Sequence, residues 1–247
     1  MTKASEDNAA KSAASDLSVE DVYRSVMDAI VDQRLLPGTR LNEQAMCEAF
    51  KISRRQMERV FARLAFENMV RLVPNRGAFV ASPDAKEARA IFAARKTIEA
   101  GVVELASARA SGADFKVLAK NIADEGTHRR AGRMREAIKL SGQFHLLLSK
   151  IADNAILADQ VRQLVARTSL VTSLYENASE MGCWHDDHNK LIEHLRAHQL
   201  KKAVDLMRRH LDDLEESLDL DRKISSKTNL RAIFGLDDAV SGQRDKV

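Results

Sequence analysis

The chain is poor in the residues that end helices, cross-link loops or favour β-sheets. Its 247 residues include two cysteines, three prolines and ten glycines, and aromatic residues make up 4%. Two cysteines are too few for a disulfide scaffold or a four-cysteine zinc site, and they favour a reducing, cytoplasmic location. The scarcity of aromatic and turn-forming residues argues against a β-sandwich or a β-barrel. These absences predict a mainly α-helical protein.

Long apolar segments are also missing. No run approaches the roughly 20 residues that a helix needs to span a bilayer, so we expect no membrane partner. The residues up to Asp16 lack the apolar centre of a signal peptide and predict a disordered tail at 1–17. The remainder is rich enough in apolar residues for a packed core, with 45% hydrophobic residues in the whole chain. Its length predicts two domains.

The prolines indicate where the two domains meet. Pro37, Pro74 and Pro83 all lie in the first third of the chain, so helices after residue 83 are free of this helix breaker. Apolar periodicity predicts an antiparallel helical bundle over residues 83–220, followed by a C-terminal tail at 221–247. Its helices are expected at about 84–110, 114–130, 134–152, 154–178, 184–197 and 200–219.

Residues 18–82 have a different pattern. Three segments with helical apolar spacing each follow a candidate N-cap residue, namely Ser18, Asn42 and Ser53. Two strand-like segments, 70–73 and 78–80, then flank a turn signal at Pro74–Gly77. Three helices followed by a β-hairpin wing are typical of a winged helix-turn-helix DNA-binding domain.

Positive charge is concentrated in the third of these helices. Residues 51–63 hold five basic residues and one acidic residue, whereas residues 18–82 hold ten basic and eight acidic residues. Arginines near the start of a helix can bind guanine edges or phosphates, and Arg76 lies at the hairpin tip, where a wing reaches DNA. A solvated basic helix face is the alternative, but the order of the elements favours DNA binding.

Four motifs of this region are the basis of a family resemblance: Leu36-Pro37-Gly38-Thr39-Arg40-Leu41-Asn42-Glu43, Ile52-Ser53-Arg54-Arg55, Arg63-Leu64 and Arg76-Gly77-Ala78-Phe79-Val80. They resemble the DNA-binding domain of the GntR family of bacterial regulators. The resemblance implies DNA contacts from Gln44, Ser53, Arg54, Arg55, Glu58, Arg76 and Gly77, and Arg59 is a further candidate. The family usually has arginine and then an acid where this chain has Glu58 and Arg59. Either the operator differs from the common one, or Arg59 takes over the contact.

The second region also carries matching positions, which are Arg95, Glu99, Phe144, His145, Asp153, Asn154, His188, Met207, His210 and Leu211. With them, residues 84–218 resemble the C-terminal ligand-binding (FCD-type) domain of the FadR-like branch of the same family. The resemblance implies a bundle of six or seven helices that binds a small effector and supports a homodimer.

Histidines are unevenly distributed, with five of the seven between residues 185 and 210. At about 100° per residue, His188 falls at the centre of an apolar helix face and His194 falls outside it. His210 lies on the apolar stripe of the last helix, and His145 follows Phe144. Three histidines from three helices can therefore point into one interior and suit Zn²⁺ or Ni²⁺.

The family resemblance implies a metal site made by an aspartate and three histidines. The matching positions are Ser141, His145, His188 and His210. Because Ser141 replaces the charged ligand, we expect a divalent metal that is weakly bound, completed by water, or absent. The alternatives are a triad that binds the effector directly and ordinary hydrogen-bonded core histidines.

Arg95 is a charged residue in an apolar helical row with Ile91, Ile98 and Val102. Buried there, its guanidinium needs an anionic partner, which favours a clamp for an effector carboxylate; a surface pair with Glu99 is the alternative. Ser141 and Asn154 are further candidates for effector contact, although a helix N-cap explains Asn154 equally well.

Together these features predict a transcription regulator, favouring a repressor, that binds a palindromic operator as a homodimer and senses a small organic acid. A purely structural helical domain is the main alternative. A metal-dependent hydrolase is disfavoured because HExxH, GxSxG and P-loop motifs are missing.

Overall fold

The computed structural model describes residues 17–176 and 185–221. Apart from Leu17 and Asp221, the two expected tails lie outside the described residues. Within the described ranges the chain forms nine helices and three strands. They are α1 (Val19–Val31), β1 (Arg40–Leu41), α2 (Glu43–Phe50), α3 (Arg54–Phe66), β2 (Val70–Val73), β3 (Gly77–Val80), α4 (Ala85–Arg109), α5 (Gly112–Arg130), α6 (Met134–Ile151), α7 (Ala155–Tyr175), α8 (His185–Arg196) and α9 (Leu200–Glu216).

The first three helices begin at the predicted N-caps. The Ser18 hydroxyl accepts from the Asp21 backbone N–H while the Asp21 carboxylate accepts from Ser18 N–H, which forms a capping box. Asn42 caps α2, and Ser53 forms a second capping box at α3. α1 packs against α3, and their buried faces share one apolar core with the sheet. The winged helix-turn-helix prediction is confirmed.

The wing contains one strand more than the sequence predicted. β2 and β3 form the expected antiparallel hairpin, and the short β1 pairs antiparallel with the other edge of β3. A strand of only two residues shows no alternation, so periodicity could not reveal β1. Gly77 has a φ of +93°, which explains glycine at the end of the hairpin turn.

The remaining six helices form the predicted bundle, with ends close to the expected positions. α5 packs against α6, and α4 packs against both α7 and α9. Ser111, Asp84 and Asn154 cap α5, α4 and α7. Among the described residues, no helix is long and apolar enough to cross a membrane.

Helix α7 connects the bundle with the winged unit. Its Leu170 is 1% exposed and belongs to the same buried cluster as the residues of α1 and α3. Two ion pairs lie beside this contact: Lys139 with Asp32 at 2.9 Å and Arg162 with Glu67 at 3.6 Å. The winged unit therefore docks on the bundle through an apolar contact flanked by paired charges.

Candidate functional site

The residues predicted to contact DNA are all solvent-exposed. They lie on α2, at or within the start of α3, and in the wing: Gln44, Ser53, Arg54, Arg55, Glu58, Arg59, Arg76 and Gly77. The structure therefore leaves this surface open for a nucleic acid. The contacts themselves stay a prediction.

Arg54 is engaged in ion pairs on this surface. Its Nε lies 2.5 Å from Glu43 Oε1 and 3.5 Å from Glu58 Oε1. Glu58, the acidic residue at the usual arginine position, is thus a partner of Arg54. The Ser53 hydroxyl is also occupied, because it donates to Gln56 Oε1 at 2.7 Å. Both groups would have to exchange these partners to bind DNA.

A second set of predicted residues meets inside the bundle. His145 on α6, His188 on α8 and His210 on α9 are each at most 3% exposed. Their ring centroids are 4.7 to 5.4 Å apart, and one nitrogen of each lies within 4.8 Å of the others. His194 lies away from them and contacts Gln199 at 3.0 Å. His188 and His210 thus lie inside the bundle and His194 lies outside it, as their helical angles predicted.

Each histidine of this triad has a carboxylate beside its Nδ1 atom. Glu99 lies 2.5 Å from His145 Nδ1, Glu125 lies 3.2 Å from His188 Nδ1, and Asp187 lies 3.5 Å from His210 Nδ1. The Nε2 atoms of His188 and His210 are buried and have no hydrogen-bond partner. Carboxylates thus hold one side of the His145 and His188 rings, Asp187 lies near His210 without a hydrogen bond, and two Nε2 atoms are left for a ligand.

Sequence reasoning missed Glu125 and Asp187 as members of the site. Glu125 is fully buried and shares a face of α5 with Leu118 and Ile122. A charged residue on an apolar stripe was the signal that singled out Arg95, and it would have found Glu125 too. Asp187 carries no such signal, because only the packing of α8 on α9 brings it to His210.

Burial favours the neutral form of the three histidines, while neighbouring cations and hydrogen bonds favour the ionised form of the carboxylates. Burial by itself would raise the pKa of Glu99, but Arg95 and His145 lower it to about 2. Burial likewise opposes ionisation of Glu125, yet hydrogen bonds with His188 and Arg129 lower its pKa. Burial lowers the pKa of all three histidines. Neutral imidazoles are the form that binds a metal.

This donor set fits a divalent transition metal. Three neutral imidazoles converge, two Nε2 atoms lack any other partner, and carboxylates stand behind the rings. A metal at about 2 Å from each nitrogen would need the nitrogens about 3.3 Å apart, so a modest closure suffices. Ser141 lies one helical turn before His145 and supplies no charge.

Arg95 is buried, unlike the surface pair considered from the sequence. Its Nε binds Glu99 at 2.7 Å and its Nη1 lies 3.4 Å from Thr168 Oγ1, while Nη2 is buried and has no partner. Arg95, Ser141, His145 and His210 line one cavity of about 520 Å³, and His188 lies behind them.

Asn154 is placed differently from the other effector candidates. Its Oδ1 accepts from the Leu157 N–H at 3.2 Å as the N-cap of α7, and it is not among the residues that line the cavity. The N-cap alternative therefore accounts for Asn154.

Comparison with known proteins identifies both domains. Residues 18–80 match the family described as bacterial regulatory proteins, gntR family, and residues 90–213, about half of the chain, match the FCD domain. The chain belongs to the GntR family. Its winged domain precedes an FCD domain, which is the FadR-like architecture. The matching families and relatives are transcriptional regulators and not enzymes.

Two curated relatives illustrate the GntR assignment. The chain is 24% identical to the HTH-type transcriptional repressor RspR of Escherichia coli K12 over 200 residues, covering 81% of this chain and 88% of the relative. It is 29% identical to the Nta operon transcriptional regulator of Aminobacter aminovorans over 139 residues, covering 56% and 65%.

Solved GntR structures show the same fold. A GntR regulator from Rhodococcus sp. RHA1 aligns with a TM-score of 0.72 at 22% identity, covering 80% of this chain and 95% of that one. McbR/YncC of E. coli aligns with a TM-score of 0.72 at 18% identity, covering 79% and 94%.

Proposed function

We propose that this GntR-family regulator is a repressor that binds a palindromic operator as a homodimer and responds to a small carboxylic acid in the cavity beside the histidine triad. One observation carries this proposal. The buried Arg95, whose Nη2 lacks a partner, lines the same cavity as His145 and His210. A guanidinium that lines a cavity and has an N–H without a partner suits a carboxylate.

A divalent metal completes this site in the proposal. Its ligands are His145, His188 and His210, with Zn²⁺ or Ni²⁺ as the candidates and water in place of the family's aspartate at Ser141. When bound, the metal supplies a positive charge that attracts the effector carboxylate.

The balance of charges next to the triad supports that metal. Three carboxylates, Glu99, Glu125 and Asp187, stand against two guanidiniums, Arg95 and Arg129. Without a further cation, an anionic effector would enter surroundings with a formal excess of one negative charge. A divalent ion reverses that sign and makes the cavity receptive to an acid.

The effector acts on DNA binding by favouring one arrangement of the two units. An acid that binds one arrangement more tightly increases the population of that arrangement. The size of the shift is set by the difference between its affinities for the two arrangements. In a homodimer, one arrangement of the two winged units would match the two half-sites of a palindrome, and the other would not.

The experiment combines metal analysis of the purified protein with a melting-temperature screen against organic acids. We expect one bound divalent ion per chain, lost in His188→Ala and in His210→Ala but retained in His194→Ala. We also expect at least one acid to raise the melting temperature. If neither a metal nor a stabilising acid is found, the sensing proposal fails while the fold stands.

A purely structural FCD domain is the second candidate. It would require closely packed surroundings for the histidines, and the cavity of about 520 Å³ beside them favours the sensor instead. Under this second candidate, filling the cavity would leave operator binding unchanged.

A further inference from the structure

The cavity extends beyond the FCD domain to the winged domain. Besides Arg95 and the histidines, it is lined by six residues of α1: the charged Glu20, Arg24 and Asp28, and the row Tyr23, Met27 and Val31. The residues Tyr23, Met27 and Val31 share one face of α1, because they recur at intervals of four. One wall of the cavity therefore belongs to the DNA-binding unit.

The two ends of the cavity differ in chemistry. At the inner end, Arg95 offers an unpartnered Nη2 and the imidazoles offer nitrogen atoms. At the α1 end, Met27 and Val31 face apolar residues of α6 and α7, namely Ile138, Leu146, Val165 and Ala166. The inner end suits an anion, and the α1 end suits an uncharged apolar group.

Each basic residue that lines the α1 end is paired with a carboxylate, including Arg24, which pairs with Glu20. Arg63 pairs with Glu20, Lys139 pairs with Asp32 at 2.9 Å, and Arg162 contacts Glu67 at 3.6 Å. Tyr23 directs its hydroxyl away from the lumen to Glu67, at 2.6 Å. This end therefore offers no strong attraction to a second anionic group of the ligand.

The size of the cavity also favours a ligand that has an apolar part. A volume of about 520 Å³ lies in the range that holds a whole drug-sized ligand and far exceeds the roughly 30 Å³ that one water occupies. A compact acid bound at Arg95 would leave the α1 end to water, against apolar walls.

We propose that the ligand is an amphipathic carboxylic acid, with its carboxylate at Arg95 and an apolar chain or ring packed against Met27 and Val31 of α1. This deepens the proposed function and rests on its carboxylate site. Because the ligand touches both units, its affinity depends on where α1 docks, and by linkage its binding biases that docking.

The test is calorimetric titration of the full-length protein with acetate, butanoate, hexanoate and octanoate. We expect affinity to rise by about fourfold for each buried methylene group until the chain reaches α1. Equal affinity for all four acids would overturn this inference and leave the carboxylate site of the proposed function standing. Failure of every acid to bind would overturn both.

A pair of variants on α1 locates the apolar end. Met27→Gln places an amide in the cavity, and Ser25→Gln adds the same amide on the exposed side of the same helix. We expect Met27→Gln to weaken octanoate binding by about tenfold while acetate affinity stays unchanged, and Ser25→Gln to change neither. Equal effects of Met27→Gln on both acids would contradict contact with α1.

Discussion

Side chains that flank the histidines set the tautomer and the basicity of the imidazoles in the triad. Glu125 is fully buried between His188, 3.2 Å away, and Arg129, 3.0 Å away. A carboxylate behind a ligating imidazole fixes the tautomer that presents Nε2 and increases the basicity of the ring. The metal affinity of this protein should therefore depend on residues that never touch the metal.

Replacing Glu125 by glutamine tests that dependence. The amide cannot accept from both His188 and Arg129 as an ionised carboxylate does, so we expect metal affinity to fall by about 10- to 100-fold. Competition with a chromophoric chelator measures it. Glu104→Gln, on an exposed position of α4, is the matched control. Equal affinities for both variants and the parent would show that Glu125 does not orient His188.

A substitution at Ser141 should increase the metal affinity of the histidine triad. It lines the cavity one turn before His145, so Ser141→Asp adds the carboxylate ligand that the family has at this position. We expect metal affinity to rise at least about tenfold, since a carboxylate oxygen at roughly 2 Å is a regular zinc ligand. Gln143→Asp adds the same charge elsewhere on the cavity wall and separates ligation from general attraction. An unchanged affinity in Ser141→Asp would mean that position 141 does not reach the metal.

The residues of the site were predictable to the extent that they carry a local signal. His188, His210 and Arg95 were found because each lies in an apolar helix row, and His145 was found because it follows Phe144 and matches a family position. The pairing of each histidine with its own carboxylate depends on how five helices pack, and single-helix periodicity holds no information on that.

Among the elements, α3 and the wing present the basic surface. The third helix has an apolar side, with Met57, Val60 and Leu64 buried, and an exposed side with Arg55 and Arg59. The helix boundaries followed from N-caps and periodicity, because these are local features. β1 did not, since its two residues are ordered by pairing with β3, which is distant in sequence.

Arginine substitutions in α3 test the predicted reading surface. We expect Arg54→Ala and Arg55→Ala each to weaken operator binding, with a loss of about 1–3 kcal/mol and relaxed specificity where a base is read. Arg54 should show the smaller loss, because binding must first break its ion pairs with Glu43 and Glu58. Arg89→Ala, on the exposed side of α4, is the control in a fluorescence anisotropy titration. Unchanged binding for both variants would mean that α3 is not the reader.

On the scale of the whole molecule, α7 links sensing and DNA binding. It contributes Thr168 and Val165 to the cavity wall and Leu170 to the core of the winged unit. A shift of α7 caused by a ligand would therefore move the surface against which α1 packs. This coupling was invisible in the sequence, where the two domains are separate segments.

Truncating Leu170 tests this docking. Its side chain is 1% exposed among residues of α1 and α3, so Leu170→Ala should lower the free energy of unfolding by about 2–5 kcal/mol. Leu200→Ala, at a position that is 42% exposed, should change it by less than about 0.5 kcal/mol. Urea denaturation followed by circular dichroism gives both values. Similar values for the two variants would contradict an apolar junction through α7.

The most direct test of sensing is operator affinity measured with and without the acid that stabilises the protein most, in the parent chain and in Arg95→Lys. Lysine retains a positive charge beside Glu99 but lacks the planar fork of N–H donors that could bind a carboxylate in two places. We predict that the acid changes operator affinity at least tenfold in the parent and little in Arg95→Lys. An equal change in both proteins, or none in the parent, would contradict a sensor built around Arg95 and the histidine triad.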